Sequence, residues 1–140
     1  MAGTRRLHVA AGVLLDFAGR VLVTERLGDS PFAGLWEFPG GKIHSRETPA
    51  EALVRELREE LDIEAAKFEH FMQLTHEYTD RCVALEFFLV HDWQGQLRAC
   101  DGQAMEWRFP GEITAAELLP ADAPVLAALI ARRDQHPEPC

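Results

Sequence analysis

Basic residues are in short supply in this 140-residue chain: 14 Lys and Arg stand against 23 Asp and Glu, a net charge of -9. The shortage argues against a DNA or RNA polymer as partner, because such binding rests on a basic footprint. A small anionic substrate stays open, provided cations neutralise the meeting of like charges. Cysteine is scarce as well. Cys82, Cys100 and Cys140 are odd in number, widely spaced and without a C-x-x-C pair. Neither a disulfide framework nor a zinc site is indicated, and a reducing cytoplasm fits. No apolar run approaches the ~20 residues of a membrane span. Arg5-Arg6 precede an apolar run at 9–15, but the run is short, His8 flanks it and Asp16 closes it. With no cleavage pattern following, it reads as a first strand and not as a signal peptide. Internal repeats and low-complexity segments are absent too.

What is present is an ordinary globular balance, 47% hydrophobic and 26% charged. The length predicts one domain, here residues 1–135, followed by a disordered tail at 136–140; a monomer is the expectation, which length does not decide. Runs at 7–15 and 20–27 read as strands around the punctuation Asp16-Phe17-Ala18-Gly19. Residues 28–34 read as a loop, 35–38 as a short apolar stretch, and Pro39-Gly40-Gly41 as an interruption. A helix follows with clear start signals: Thr48 as N-cap, Pro49 at the first position and Glu51 completing a T-x-x-E capping box. It should end near Leu61. Strands are expected at 68–75 and 82–91, joined near Thr79-Asp80, then a loop at 93–102 and a strand at 104–109. A second T-x-x-E box, Thr114 to Glu117, should open a short helix that stops at Pro120, before a last amphipathic helix at 123–133.

Laid out at ~100° per residue, the helix from Pro49 has three faces. Ala50, Leu53, Val54, Leu57 and Leu61 form the core face. Glu56, Glu59 and Glu60 stand at i, i+3 and i+4, so their carboxylates converge, with Arg55 beside Glu59. Glu51 and Arg58 take the solvent face. Acids compensated by arginines can be a mere solvated surface. Against that stand Ala52, small and on the acid arc with room above it, and Gly40-Gly41 just upstream. Glycines let backbone approach a ligand and expose a carbonyl, and carboxylates with a carbonyl are hard oxygen donors suited to magnesium or manganese.

The spacing Gly41, five residues, Glu47, seven residues, then Arg55-Glu56-Leu57-Arg58-Glu59-Glu60-Leu61-Asp62-Ile63 resembles the Nudix box, Gx5Ex7REUxEExGU. One position departs, Asp62 in place of glycine. That residue should cap the helix in a left-handed conformation, which Asp tolerates better than most. The lead-in Leu35-Trp36-Glu37-Phe38-Pro39-Gly40-Gly41-Lys42-Ile43 is similar to the MutT branch, which sanitises oxidised guanine nucleotides, and the likeness runs without gaps over about 7–129. Cytidine-triphosphate pyrophosphohydrolases share lead-in and box nearly as well. ADP-ribose hydrolases of the superfamily carry a proline a short way beyond the box, whereas this chain has none between Pro49 and Pro110.

The resemblance implies a fold class, α/β with a Nudix-type α/β/α sandwich and a mixed β-sheet. It also implies metal-dependent hydrolysis of a nucleoside triphosphate, most simply 8-oxo-dGTP, to the monophosphate and pyrophosphate. CTP is the alternative substrate, and a catalytically silent nucleotide-binding domain the remote one. Mg2+, with Mn2+ as a substitute, would be held by Glu56, Glu59, Glu60, the Gly40 carbonyl and Asp101. Asp101 stands where related enzymes carry glutamate, and its other reading is an ordinary turn residue. Arg55 would hold a glutamate in place, while Gly41 and Glu47 would support the loop. Arg26, Glu37, Phe38, Tyr78 and Arg81 match positions near the nucleotide. Asp122 falls where MutT reads the oxidised base with asparagine, and it is also a good helix N-cap. An asparagine accepts from N7–H of 8-oxoguanine and donates to O6. A protonated Asp122 would imitate it, whereas an ionised one would suit the cytosine amino group or the N1–H and N2 edge of guanine.

Overall fold

A computed structural model describes residues 5–29 and 31–135, so the tail expected at 136–140 lies outside the described residues. In chain order the elements are β1 (Arg5–Leu14), β2 (Val21–Glu25), β3 (Trp36–Glu37), β4 (Gly40–Lys42), α1 (Pro49–Leu61), β5 (Glu64–Glu77), β6 (Arg81–Gln94), β7 (Met105–Arg108) and α2 (Ala123–Gln135). Single 3-10 turns occupy Pro110–Glu112, Ala115–Glu117 and Pro120–Asp122.

Alternation along the central strands organises the molecule. In β1, Val9, Ala11 and Val13 face one way and Ala10 and Leu14 the other, as a period of two requires. β6 divides likewise, Val83, Leu85, Phe87 and Leu89 against Phe88 and Val90. Strands apolar on both faces must be covered on both faces. α2 covers the first with Val125, Leu126 and Leu129, and α1 covers the second with Ala52, Leu53, Leu57 and Leu61. The expected α/β/α sandwich is therefore present. Its middle layer is two sheets: a mixed one in the order β4-β1-β6-β5, parallel only between β1 and β6, and an antiparallel one in the order β3-β2-β7. No helix among the described residues is long and apolar enough to cross a membrane.

Four expectations need correction. Of the expected interruption Pro39-Gly40-Gly41, the two glycines instead form β4 with Lys42 and pair with β1, Ala10 opposite Gly41 and Ala11 opposite Gly40. A Cβ on Gly40 would lie 2.2 Å from the Ala10 carbonyl oxygen, so only glycine lets the two backbones come this close. Trp93, assigned to a loop, extends β6, because it pairs with Ala65 and stacks on Trp107 at 6.1 Å. Ala52 has no room above it: it is 0% exposed, in the core with Leu53 and Leu57, since β4 lies close against that side of α1. The box at Thr114 opens only a 3-10 turn. There the Glu117 carboxylate accepts from the Thr114 N–H at 2.8 Å, and Pro120 soon follows.

The capping box of α1 forms as expected: Glu51 N–H donates to Thr48 Oγ1 at 3.1 Å, and Thr48 N–H to Glu51 Oε1 at 2.9 Å. Such a cap stabilises a helix by about 1 kcal/mol. At the far end Asp62 is left-handed, φ 58° and ψ 37°, with its N–H donating to the Arg58 carbonyl. Left-handed backbone costs an L residue roughly 1–2 kcal/mol, whereas glycine adds roughly 0.4–1 kcal/mol of unfolded-chain entropy. Asp62→Gly should therefore leave the thermal midpoint nearly unchanged, while Asp62→Val, β-branched in this conformation, should lower it by several degrees. Equal midpoints for the two variants would show that the chain does not hold residue 62 left-handed.

Candidate active site

The acid face of α1 is built around one guanidinium. Arg55 Nε donates to Glu47 Oε2 at 2.6 Å, and Nη2 to Glu47 Oε1 at 3.0 Å and to the Lys42 carbonyl at 2.9 Å. Nη1 donates to Glu56 Oε1 at 2.9 Å and Glu59 Oε2 at 3.2 Å. Every N–H of the guanidinium thus has an acceptor. The Arg55 hydrogen bond, helped by the His44 N–H, pulls the Glu47 carboxyl down to about 2. The pair in turn raises Arg55 further above its ordinary value.

Glu60 turns from this cluster toward β4, where its Oε2 accepts from the Gly40 N–H at 2.8 Å. Burial, with the nearby charges of Glu56, Glu37 and Asp101, pushes its carboxyl up to about 8 against that hydrogen bond. Glu56 lies against the same strand: a Cβ on Gly41 would meet its Cδ at 2.4 Å. Glu59 is 60% exposed and Asp101 sits on an exposed turn. Among the described residues no three His, Cys, Asp or Glu side chains form a ready cage for a metal ion. The donor set is nonetheless all hard oxygen. Mg2+ characteristically takes one or two protein carboxylates and completes its shell with water and substrate phosphate, so the set suits it.

On the other face of β4 and β1 opens a cavity of about 290 Å³. Val9, Ala11, Val83 and Leu85 give it an apolar floor, and Gly40 and Gly41 line it too. Its polar rim gathers Arg26, Glu37, Tyr78, Arg81 and Asp122. Arg26 Nη1 donates to Glu37 Oε1 at 3.0 Å, yet burial still holds the Glu37 carboxyl above its ordinary value. Asp122 is 4% exposed, and its Oδ2 accepts from the Phe38 N–H at 3.0 Å. Burial pushes its carboxyl up to about 7. The Tyr78 ring meets the edge of Phe32 at 5.4 Å and carries the Arg81 guanidinium 5.4 Å above it. Arg81 Nε is buried without a hydrogen-bond partner among the described residues, a donor facing a cavity that its side chain lines.

The sequence-derived residues thus gather in two groups that share a wall. Arg26, Glu37, Phe38, Tyr78, Arg81 and Asp122 surround the cavity, while Glu47, Arg55, Glu56, Glu59 and Glu60 lie beyond the Gly40-Gly41 strand. Asp122 closes a 3-10 turn and bonds across the fold to Phe38. Reasoning from sequence missed Phe32, Lys42 and the apolar floor. The alternation of β1 was a signal for the floor, whereas nothing local marked Phe32.

The Glu47–Arg55 pair makes a pH-dependent prediction. A carboxyl lowered on folding adds stability above its unfolded value, and that contribution fades as pH falls toward the folded one. Glu47→Gln should therefore be less stable than the parent at neutral pH. In urea unfolding the gap should hold down to about pH 5 and narrow progressively below it. A gap that stays constant to about pH 3 would show that the Glu47 charge is not what stabilises the loop.

Known proteins resemble the chain along nearly its whole length. The NUDIX domain family matches residues 5–135. An 8-oxo-dGTP diphosphatase of Escherichia coli (strain K12) is 38% identical over 125 residues, which cover 89% of this chain and 97% of that protein. A CTP pyrophosphohydrolase of the same strain is 40% identical over 133 residues, covering 95% and 98%. The solution structure of the E. coli ORF135 protein superposes with a TM-score of 0.84 at 38% identity, covering 99% of both chains. With the acid helix, the glycine strand and the sandwich all in place, the chain belongs to the Nudix family of hydrolases.

Proposed function

We propose that this Nudix hydrolase is a magnesium-dependent nucleoside triphosphate pyrophosphohydrolase that takes 8-oxo-dGTP to the monophosphate and pyrophosphate. One observation carries the reading: the Gly40-Gly41 strand is a wall common to the cavity and to Glu56 and Glu60. A base seated in the cavity leaves its triphosphate running past that wall toward the acids. Glu56, Glu59, Glu60, Asp101 and the Gly40 carbonyl are assigned to Mg2+, for which Mn2+ can substitute. The cation supplies charge neutralisation for the phosphates and a lowered pKa for a bound water. The protein's own share is orientation. Arg55 bridges Glu56 and Glu59 through Nη1, the Gly40 N–H fixes Glu60, and Arg81 offers its Nε–H to the nucleotide. Such an enzyme would act as a monomer in the cytoplasm, clearing oxidised guanine nucleotides before DNA synthesis and so limiting mutation.

A second reading, CTP as substrate, is favoured by Asp122. Its ionised carboxylate would accept from the cytosine amino group, and a relative 40% identical is named for that activity. Because Asp122 titrates near 7, the proton on this side chain separates the two readings.

Two experiments test the proposal. Glu60→Gln removes an anionic oxygen while keeping the shape, so turnover at saturating Mg2+ should fall by orders of magnitude with the thermal midpoint little changed. Unchanged turnover would sink the metal assignment. For the base, kcat/KM should be compared over a panel of normal and oxidised triphosphates from about pH 6 to 9. A neutral Asp122 is lost as pH rises through about 7, so 8-oxo-dGTP hydrolysis should decline there more than that of other nucleotides. Asp122→Asn should flatten that difference, since the amide does not titrate. A wrong polar group here costs roughly 1–3 kcal/mol, about a ten- to hundredfold shift in selectivity. If asparagine instead lowers CTP hydrolysis and improves 8-oxo-dGTP hydrolysis, the second reading is right. Selectivity unaltered by the substitution would remove Asp122 from base reading altogether.

A further inference from the structure

Gln103 is 6% exposed, one of few polar side chains buried among the described residues, and it is not among the groups assigned above. Its amide joins two backbones. Oε1 accepts from the Asp101 N–H at 3.0 Å, and Nε2 donates to the Glu60 carbonyl at 3.4 Å. Because one partner can only donate and the other only accept, the orientation of the amide is determined. Two main-chain bonds flank it: Cys100 N–H to the Glu60 carbonyl at 3.1 Å and Arg98 N–H to the Leu61 carbonyl at 2.9 Å. The segment between β6 and β7 is thereby seated on the C-terminal turn of α1, where helix carbonyls lack intrahelical partners. Asp101 itself lies on an exposed turn, which closes through a left-handed Gly102 (φ 75°). The Gln103 amide is the side-chain tie, beside the Cys100 and Arg98 main-chain bonds, between the Asp101 backbone and the Glu60 backbone.

We infer that Gln103 is a positioning residue that holds Asp101 beside Glu60, so that both carboxylates present their oxygens to the same divalent cation. The inference rests on the assignment of Asp101 to the metal. Partners that orient a metal-binding carboxylate typically matter about tenfold or more in affinity. Mn2+ binding to the nucleotide-free protein, followed by electron paramagnetic resonance, is the readout. Gln103→Met, similar in length but without hydrogen-bonding groups, should weaken Mn2+ binding about tenfold. Added to Asp101→Ala, it should weaken binding no further. Gln103→Glu keeps an acceptor for the Asp101 N–H and should lose several-fold less than Gln103→Met. It also serves as the test variant if Gln103→Met does not fold, loss as large as that of Asp101→Ala then counting against the role. If Asp101→Ala alone leaves Mn2+ binding unchanged, the metal assignment of Asp101 fails and this inference with it. If Asp101→Ala weakens binding but Gln103→Met does not, or weakens it equally in both backgrounds, the positioning role alone is overturned.

Discussion

The Arg55 guanidinium binds together three of the carboxylates on the acid side of the molecule. It brings Glu47, Glu56 and Glu59 to one cation and adds the Lys42 carbonyl at 2.9 Å, so the loop after β4 and the helix are held as one piece. Carboxylates a helical turn apart repel by a few tenths of a kcal/mol per pair in water, and more where burial lowers the dielectric. A planar donor with five N–H groups in a fixed fork satisfies more of them at once than the three donors of a lysine ammonium. Arg55 thus permits a concentration of negative charge that would otherwise disperse. Glu60 accepts from the Gly40 N–H and bonds no arginine among the described residues; burial first, and then the charges of Glu56 and Glu37, raise its carboxyl.

That charge is useful because of the strand beside it. β4 is short, and its two glycines are required by contact: Gly40 against the Ala10 backbone, Gly41 against the Glu56 carboxyl. Side chains there would push β4 away from β1 on one side and from α1 on the other. With glycine, the backbone itself is the partition between cavity and acids, only one residue thick. That thin partition is what the proposed function uses, with a base among apolar β1 and β6 side chains and phosphates toward α1.

The cavity has its own tie, at the end of the chain. Asp122 reaches the Phe38 N–H across 84 positions, drawing the turn before α2 onto the strand that leads into Gly40. Burying a carboxyl this deeply costs stability when it is ionised, which is why its pKa rises toward neutrality. In the proposed function this carboxyl would offer a donor when protonated and only acceptors when ionised, so the choice of base would follow its proton.

The parts of this protein legible in sequence are those where cause and effect lie within a few residues. The capping box, the end of α1, the left-handed Asp62 and the pairing of Arg55 with Glu59 follow from the helical repeat and from rules of local hydrogen bonding. The apolar runs at 7–15 and 82–91 marked strands, while the cover of both their faces by helices came with the structure. Tertiary structure alone decided the rest. It made a strand of Gly40–Lys42, buried Ala52, joined Asp122 to Phe38 and seated Gln103 between Asp101 and Glu60, a partner 43 positions away. Each of these depends on how closely elements distant in the chain approach. That distance is set by the packing of both faces of the sheets together, a property that no single segment carries.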